Sequence, residues 1–205
     1  QPDLIFSAGG YVSVPLVWLA KFKGIPTWIH QLGVEPLLAN RLMAPMATKI
    51  SVTWEQSMGD WSLSKTVLVG GLVREGIRRG SREWFMREKG MDGSRPTVLV
   101  LGGGTGAVSI NEAMAVIADD LLSTMNIIHL TGAGKMIEAL TLKGKNYQAF
   151  EFLDSDLPHA FAAADLIVAR AGMGTIIELI TLGKPMILLP IKNSAQIKNA
   201  QVVEE

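Results

Sequence analysis

The sequence predicts an α/β protein of doubly wound parallel sheets, and three observations carry that expectation. Short apolar runs of strand length alternate with longer segments of helical spacing along the chain. Two of these runs, at residues 97–101 and 166–169, pass directly into glycine-broken turns and then into helices. A charged stretch at 74–95 separates two such series, so two α/β units are expected to meet near residue 95.

In chain order, residues 4–7, 27–30, 49–52 and 66–69 read as strands. Residues 13–23 and 36–47 read as helices, the second with Leu38, Leu42 and Met46 spaced as one face. Trp84 and Phe85 interrupt the charges of 74–95, which makes part of it a connecting helix closed by Gly90. The second series has strands at 97–101, 126–130, 148–152, 166–169 and 186–189 with helices between them. The domains expected are therefore 1–72, a hinge and connecting helix at 73–95, and 96–205. Both ends read as cut: Gln1 leads straight into a strand, Glu204 and Glu205 fall in the body of a helix, and the first unit offers only about four strands where a doubly wound domain commonly has five or six.

Whole-chain properties exclude several classes. Lys plus Arg and Asp plus Glu both number 19, a balance that does not point to a general nucleic-acid binder. The absence of cysteine removes disulfides, thiolate metal sites and cysteine nucleophiles together. No apolar run approaches the roughly 20 residues that span a bilayer, and the N-terminus lacks the charged start of a signal peptide, so any membrane contact is expected to be peripheral.

The segment ARAGMGTIIELITLGKPMILLP, residues 169–190, joins a buried strand to a turn with Gly172 and Gly174, a helix expected to begin near Thr175, and another strand. The first amides of that helix lack intrahelical acceptors and sit at the positive end of its dipole, where a phosphate fits. Glu178, expected in the first turn, can accept two hydrogen bonds from a vicinal diol, so one helix start could hold a diphosphate and an adjoining ribose. An acid there equally complements the helix dipole without any ligand.

A second glycine cluster, GGGTGA at 102–107, follows the strand 97–101 and formally satisfies G-x-G-x-x-[GA]. The strand at 126–130 ends His129, Leu130, Thr131 without the acid that fingerprint needs, which disfavours a nicotinamide or flavin cofactor. Gly134 and Lys135 lack the spacing of a P-loop. The turn is left with two readings, a close approach to an anionic substrate or tight strand-to-helix packing.

The ordered motifs GGYVS at 9–13, GIP at 24–26, His30, LANRLMAP at 38–45, VGGLVR at 69–74, LGGGTGA at 101–107, FLDSDL at 152–157, AAADLIVARAG at 162–172 and QIKNA at 196–200 resemble the MurG family. That resemblance runs over almost the whole chain. It implies a GT-B architecture of two Rossmann-like sheets. It also implies an inverting, metal-independent transfer of N-acetylglucosamine from UDP-GlcNAc to undecaprenyl-diphosphate-muramyl-pentapeptide, at the cytoplasmic face of the bacterial membrane, with no cofactor. Alternatives of the same architecture are a non-catalytic UDP-sugar-binding module and a UDP-sugar enzyme such as an epimerase.

Carried over by position, the resemblance implies that Glu178 holds the uridine ribose and that the Leu153 backbone meets the uracil edge. Met173, Gly174 and Thr175 then contact diphosphate and sugar, Arg74 neutralises phosphate, and Gln196 binds the donor sugar. Gly103, Gly104 and Thr105 form the glycine turn, with Gly104 where many members carry a serine. The family's catalytic base belongs to a glycine-rich loop that would precede Gln1, and His30 and Gln31 are the candidate catalytic groups within this chain. Residues 30–33 read His-Gln-Leu-Gly where many members read His-Glu-Gln-Asn, and Gln31 cannot act as a general base near neutral pH. The helix at 13–23, with Trp18 and Phe22 beside Lys21 and Lys23, has a composition suited to an anionic lipid surface.

Overall fold

The computed structural model describes residues 2–104, 106–141 and 144–204. The chain forms two compact units, Gln1–Leu72 with Lys192–Glu205, and Val73–Ile191. Residues 192–205 thus belong to the first unit and not to the second, where the sequence pattern alone places them.

The first unit has a four-stranded parallel sheet in the order β1 (Ile5–Ser7), β2 (Thr27–Gln31), β3 (Lys49–Val52) and β4 (Thr66–Leu68). α1 (Ser13–Phe22) links β1 to β2, and α2 (Leu38–Met43) links β2 to β3. The core packs Val17 of α1 and Met43 of α2 on Ile29, Ile50 and Val52. α2 is shorter than expected and turned the other way. Leu37 is still extended at φ −70°, ψ 154°, and the missing amide of Pro45 disfavours continuing the helix. The side facing the sheet carries Ala39, Asn40 and Met43, while Leu38 and Leu42 are exposed. Asn40 decides this, because its Nδ2 donates to Gln31 Oε1 at 2.6 Å and so draws that face inward.

The second unit begins with the connecting helix α3 (Arg82–Lys89). Ser81 caps it by accepting from the Trp84 amide at 3.1 Å, and Gly90 closes it at φ 64°. There follow β5 (Thr97–Leu101), α4 (Val108–Leu122), β6 (Asn126–Leu130), α5 (Glu138–Thr141), β7 (Tyr147–Phe150), α6 (Leu157–Ala163), β8 (Leu166–Ala169), α7 (Met173–Leu182) and β9 (Met186–Leu188). α8 (Gln196–Gln201) lies in the part of the chain that belongs to the first unit.

The five strands are parallel in the order β7-β6-β5-β8-β9. β5 is buried along its whole length because both faces of the sheet are covered. Leu99 and Leu101 pack with Phe85, Phe161 and Leu179 on one side, and Val98 and Val100 with Ile110, Met114 and Ile127 on the other. The C-terminus of α6 receives two cations: Lys184 Nζ donates to the carbonyls of Ala162 and Ala164, and Arg82 to that of Ala163. Burial holds the Lys184 ammonium below its usual pKa.

Candidate functional site

The strand order reverses at β5. The chain runs outward from β5 through β6 to β7, then returns to place β8 on the other side of β5. Loops leaving the carboxyl ends of β5 and β8 therefore diverge, and ligands of open α/β sheets bind in the crevice so formed. A cavity lies there. Its walls are Gly103 and Gly104 after β5, Leu130 and Gly132 at the end of β6, Glu151, Phe152 and Leu153 after β7, Thr175 and Glu178 of α7, and Arg74.

The two glycine turns differ in why they need glycine. At Gly102 an added Cβ would stand 2.1 Å from the Ala107 amide nitrogen, and at Gly106 it would stand 2.1 Å from the Thr131 carbonyl oxygen. Gly106 also has φ +72°, so these two positions are demanded by close packing and backbone conformation. Gly104, Gly172 and Gly174 have nothing within 4 Å of such a Cβ. Their missing side chains leave backbone open to a ligand.

α7 starts two residues earlier than expected. Gly172 is its N-cap at φ −73°, ψ 128°, and the Ile176 amide donates to the Gly172 carbonyl at 3.0 Å. The amides of Gly174 and Thr175 thus lie in the turn for which helix geometry supplies no acceptor, at the positive end of the dipole. Glu178, the sixth helical residue, falls in the second turn rather than the first. Placement that deep along the helix weakens the reading of Glu178 as a dipole partner, since that effect fades beyond the first turn.

Glu178 is 8% exposed, and its Oε1 accepts from Arg74 Nε at 2.7 Å. The pair forms part of the cavity wall, and the space enclosed is about 120 Å³, below the roughly 300 Å³ of common ligand pockets. A wider groove of about 390 Å³ beside α4 is lined mainly by apolar residues, with Ser109 and Arg170 as its polar members. Arg170 is engaged there with Ser109 Oγ at 2.6 Å and the Leu189 carbonyl at 2.9 Å, and converging polar groups favour the smaller cavity as the site.

Of the expected site residues, the structure brings together Arg74, Gly103, Gly104, Leu153, Thr175 and Glu178. Met173 and Gly174 open the helix whose Thr175 and Glu178 reach the cavity. Thr105 lies outside the described residues. Gln196 begins α8, in the first unit.

His30 and Gln31 end β2 in the first unit and are both 1% exposed. His30 Nδ1 meets Ser51 Oγ at 2.9 Å and its Nε2 meets Thr53 Oγ1 at 3.4 Å, and burial lowers its pKa. Gln31 Nε2 donates to the carbonyls of Gly33 and Glu35 at 2.9 and 2.7 Å. Together with the bond from Asn40, this engages the whole amide in holding the loop after β2.

Sequence reasoning missed the wall formed by Leu130, Gly132, Glu151 and Phe152. The signal was present, since all four stand at or just past the carboxyl ends of strands. Glu151 Oε1 accepts from the Gly134 amide at 2.8 Å and so shapes the loop after β6.

Residues 97–205, just over half of the chain, match the glycosyltransferase family 28 C-terminal domain. The whole chain is 38% identical to the UDP-N-acetylglucosamine--N-acetylmuramyl-(pentapeptide) pyrophosphoryl-undecaprenol N-acetylglucosamine transferase of Geobacillus kaustophilus and covers 58% of it. It is 37% identical to the enzyme of the same name from Clostridium kluyveri, covering 59%. The chain thus spans a little under three fifths of the length of these curated relatives. In structure it is similar to Acinetobacter baumannii MurG, with a TM-score of 0.72 at 24% identity over 99% of this chain and 57% of that one, a likeness that shows the GT-B fold class. On the match across its second half and the full-length similarity to these transferases, the chain belongs to glycosyltransferase family 28.

Proposed function

We propose that the chain carries the donor site of an inverting, metal-independent N-acetylglucosaminyltransferase that moves GlcNAc from UDP-GlcNAc to undecaprenyl-diphosphate-muramyl-pentapeptide. The observation that carries this reading is the cavity at the reversal of strand order, where the start of α7, open glycine backbone and a buried carboxylate paired with an arginine converge. The activity for which these relatives are named supports the choice of donor and acceptor.

In this reading the ribose diol of UDP hydrogen-bonds to Glu178, and the diphosphate meets the amides of Gly174, Thr175 and Gly104. Arg74, released from Glu178, turns to the phosphates. As the acceptor hydroxyl, giving up its proton to a general base, attacks the anomeric carbon, the bond to the diphosphate breaks and negative charge grows on the leaving UDP. The helix start and Arg74 stabilise that charge more than they stabilise the intact donor, which is where the rate is gained. The acceptor-side unit is then 1–72 with 192–205, and the donor unit is 73–191.

The acceptor end calls for a membrane surface, and we place the contact on α1 against the anionic cytoplasmic leaflet. Leu16, Leu19 and Phe22 are exposed along this helix, and Lys21 and Lys23 flank them. Trp18 is half-exposed, with Nε1 donating to the Leu42 carbonyl at 3.1 Å. Among the described residues no helix is long and apolar enough to cross a membrane. Apolar side chains bordered by lysines suit an interfacial contact.

A second reading, donor binding without turnover, draws on His30 and Gln31, whose polar atoms are engaged inside the first unit. Calorimetric titration with UDP-GlcNAc tests the donor site common to both readings: saturable binding weakened by Glu178→Ala supports it, and no binding refutes it. Transfer to the lipid-linked acceptor by the protein that carries this chain separates the two.

A further inference from the structure

Behind the cavity lies a buried polar relay. Asn111 in α4, His129 in β6 and Tyr147 in β7 are 1%, 0% and 5% exposed. Asn111 Nδ2 donates to the carbonyls of Thr131 and Lys135, both at 3.0 Å. Its Oδ1 is therefore the acceptor that faces His129 Nε2 at 3.0 Å, which puts the imidazole proton on Nε2. Nδ1 is then an acceptor, and the Tyr147 hydroxyl donates to it at 2.6 Å. One tautomer and one amide orientation satisfy the whole chain of bonds.

The relay ends on the two loops that carry the cavity's glycines. Through Asn111 it holds the backbone at Thr131 and Lys135, on either side of Gly132. Lys135 Nζ in turn donates to the Gly106 carbonyl at 3.1 Å, and Gly106 packs so closely on the Thr131 carbonyl that no Cβ fits between them. The Gly106 amide donates to the Gly103 carbonyl at 3.0 Å. Displacing Thr131 or Lys135 therefore moves the turn that presents Gly103 and Gly104.

We propose that Asn111, His129 and Tyr147 are positioning residues of the nucleotide site, setting through Thr131, Lys135 and Gly106 the glycine turn whose backbone meets the diphosphate. The proposal rests on the UDP-sugar reading of the cavity. None of the three touches the ligand. Their effect is on how well the turn is ordered before binding, which appears in affinity because a disordered site must be ordered by the ligand.

Amide exchange and UDP titration on the same variants test it. Tyr147→Phe removes the donor to Nδ1 with little change of shape. His129→Leu breaks the relay, and His129→Gln retains an N–H for Asn111 Oδ1. At temperatures well below each melting point, Tyr147→Phe and His129→Leu are expected to speed exchange at the Gly106 amide, which the Gly103 carbonyl holds, and to weaken UDP by about fivefold or more. His129→Gln should stay within about twofold of wild type in both. Faster exchange together with weaker UDP binding supports the proposal. Exchange at the wild-type rate in cooperatively folded Tyr147→Phe overturns it, as does faster exchange with unchanged UDP affinity. If the wild type fails to bind UDP while exchange still accelerates in the variants, the hold on the turn stands and the nucleotide reading falls.

Discussion

Arg74 Nε donates to Glu178 Oε1 at 2.7 Å across 104 positions of sequence, joining the start of the second unit to the middle of α7. Glu178 is nearly buried, whereas Arg74 is about half exposed, so the carboxylate is fixed and the guanidinium is the partner free to move. A nucleotide that engages Glu178 through its ribose finds a cation beside it for its phosphates. Arg74→Ala is expected to weaken UDP by about 1.5–3 kcal/mol, the range for hydrogen bonds to charged groups, and to leave uridine nearly unaffected. Competitive titration of UDP and uridine checks this, and equal losses for both would contradict it.

The two kinds of glycine predict opposite outcomes. Gly104→Ser adds a side chain where nothing lies within 4 Å, so thermal stability should stay within about 0.5 kcal/mol of wild type while UDP binds more tightly through the new hydroxyl. Gly106→Ala forces a Cβ to 2.1 Å from the Thr131 oxygen at φ +72°, and should lower stability by about 2 kcal/mol or more. Chemical denaturation of the two variants measures the difference.

Acid should destabilise the chain through its buried imidazoles. Burial lowers the pKa of His129 from 6.5 to about 4, so the folded state resists a proton that the unfolded chain accepts. Stability is then complete above pH 6.5 and falls as pH drops toward 4, by about 3 kcal/mol for this group. His30, lowered by burial too, contributes in the same direction. Denaturation midpoints from pH 7 to 4 should fall more steeply for wild type than for His129→Gln, and parallel curves would count against a neutral buried His129.

For α1 the expected behaviour is electrostatic as well as apolar. Lys21→Glu with Lys23→Glu should abolish most flotation with anionic vesicles, since each basic residue near such a surface contributes on the order of 1 kcal/mol. Salt should weaken the wild type similarly. UDP affinity of the double variant should be unchanged, as these lysines belong to the first unit and the cavity to the second. Equal flotation of wild type and variant would remove α1 as the docking helix.

Most of the sheet was legible because its strands are local signals. The run at Thr97–Leu101 and that at Leu166–Ala169 are apolar enough to declare burial on both faces, and both begin and end where expected. What local pattern cannot carry is a contact made at long range. Gly104 and Gly106 look alike in sequence, and the position of Thr131, some 25 residues beyond Gly106, separates the packing glycine from the open one. The side of α2 that meets the sheet is set at long range too, since Asn40 faces inward on account of Gln31 in a different element. His129, next to the apolar pair Ile127 and Ile128 of β6, and Tyr147 carried a visible signal as polar residues in core strands, but their partner Asn111 lies in a helix that sequence alone does not bring to them.

The central claim, that Glu178 binds the ribose of a uridine nucleotide, is tested most directly by a double-mutant cycle in which calorimetry compares UDP with 2′,3′-dideoxy-UDP on wild type and on Glu178→Ala. The account predicts that Glu178→Ala weakens UDP by about 1.5–3 kcal/mol and that removing the hydroxyls costs the variant almost nothing further, because the same contact is already lost. Losses that simply add would contradict it.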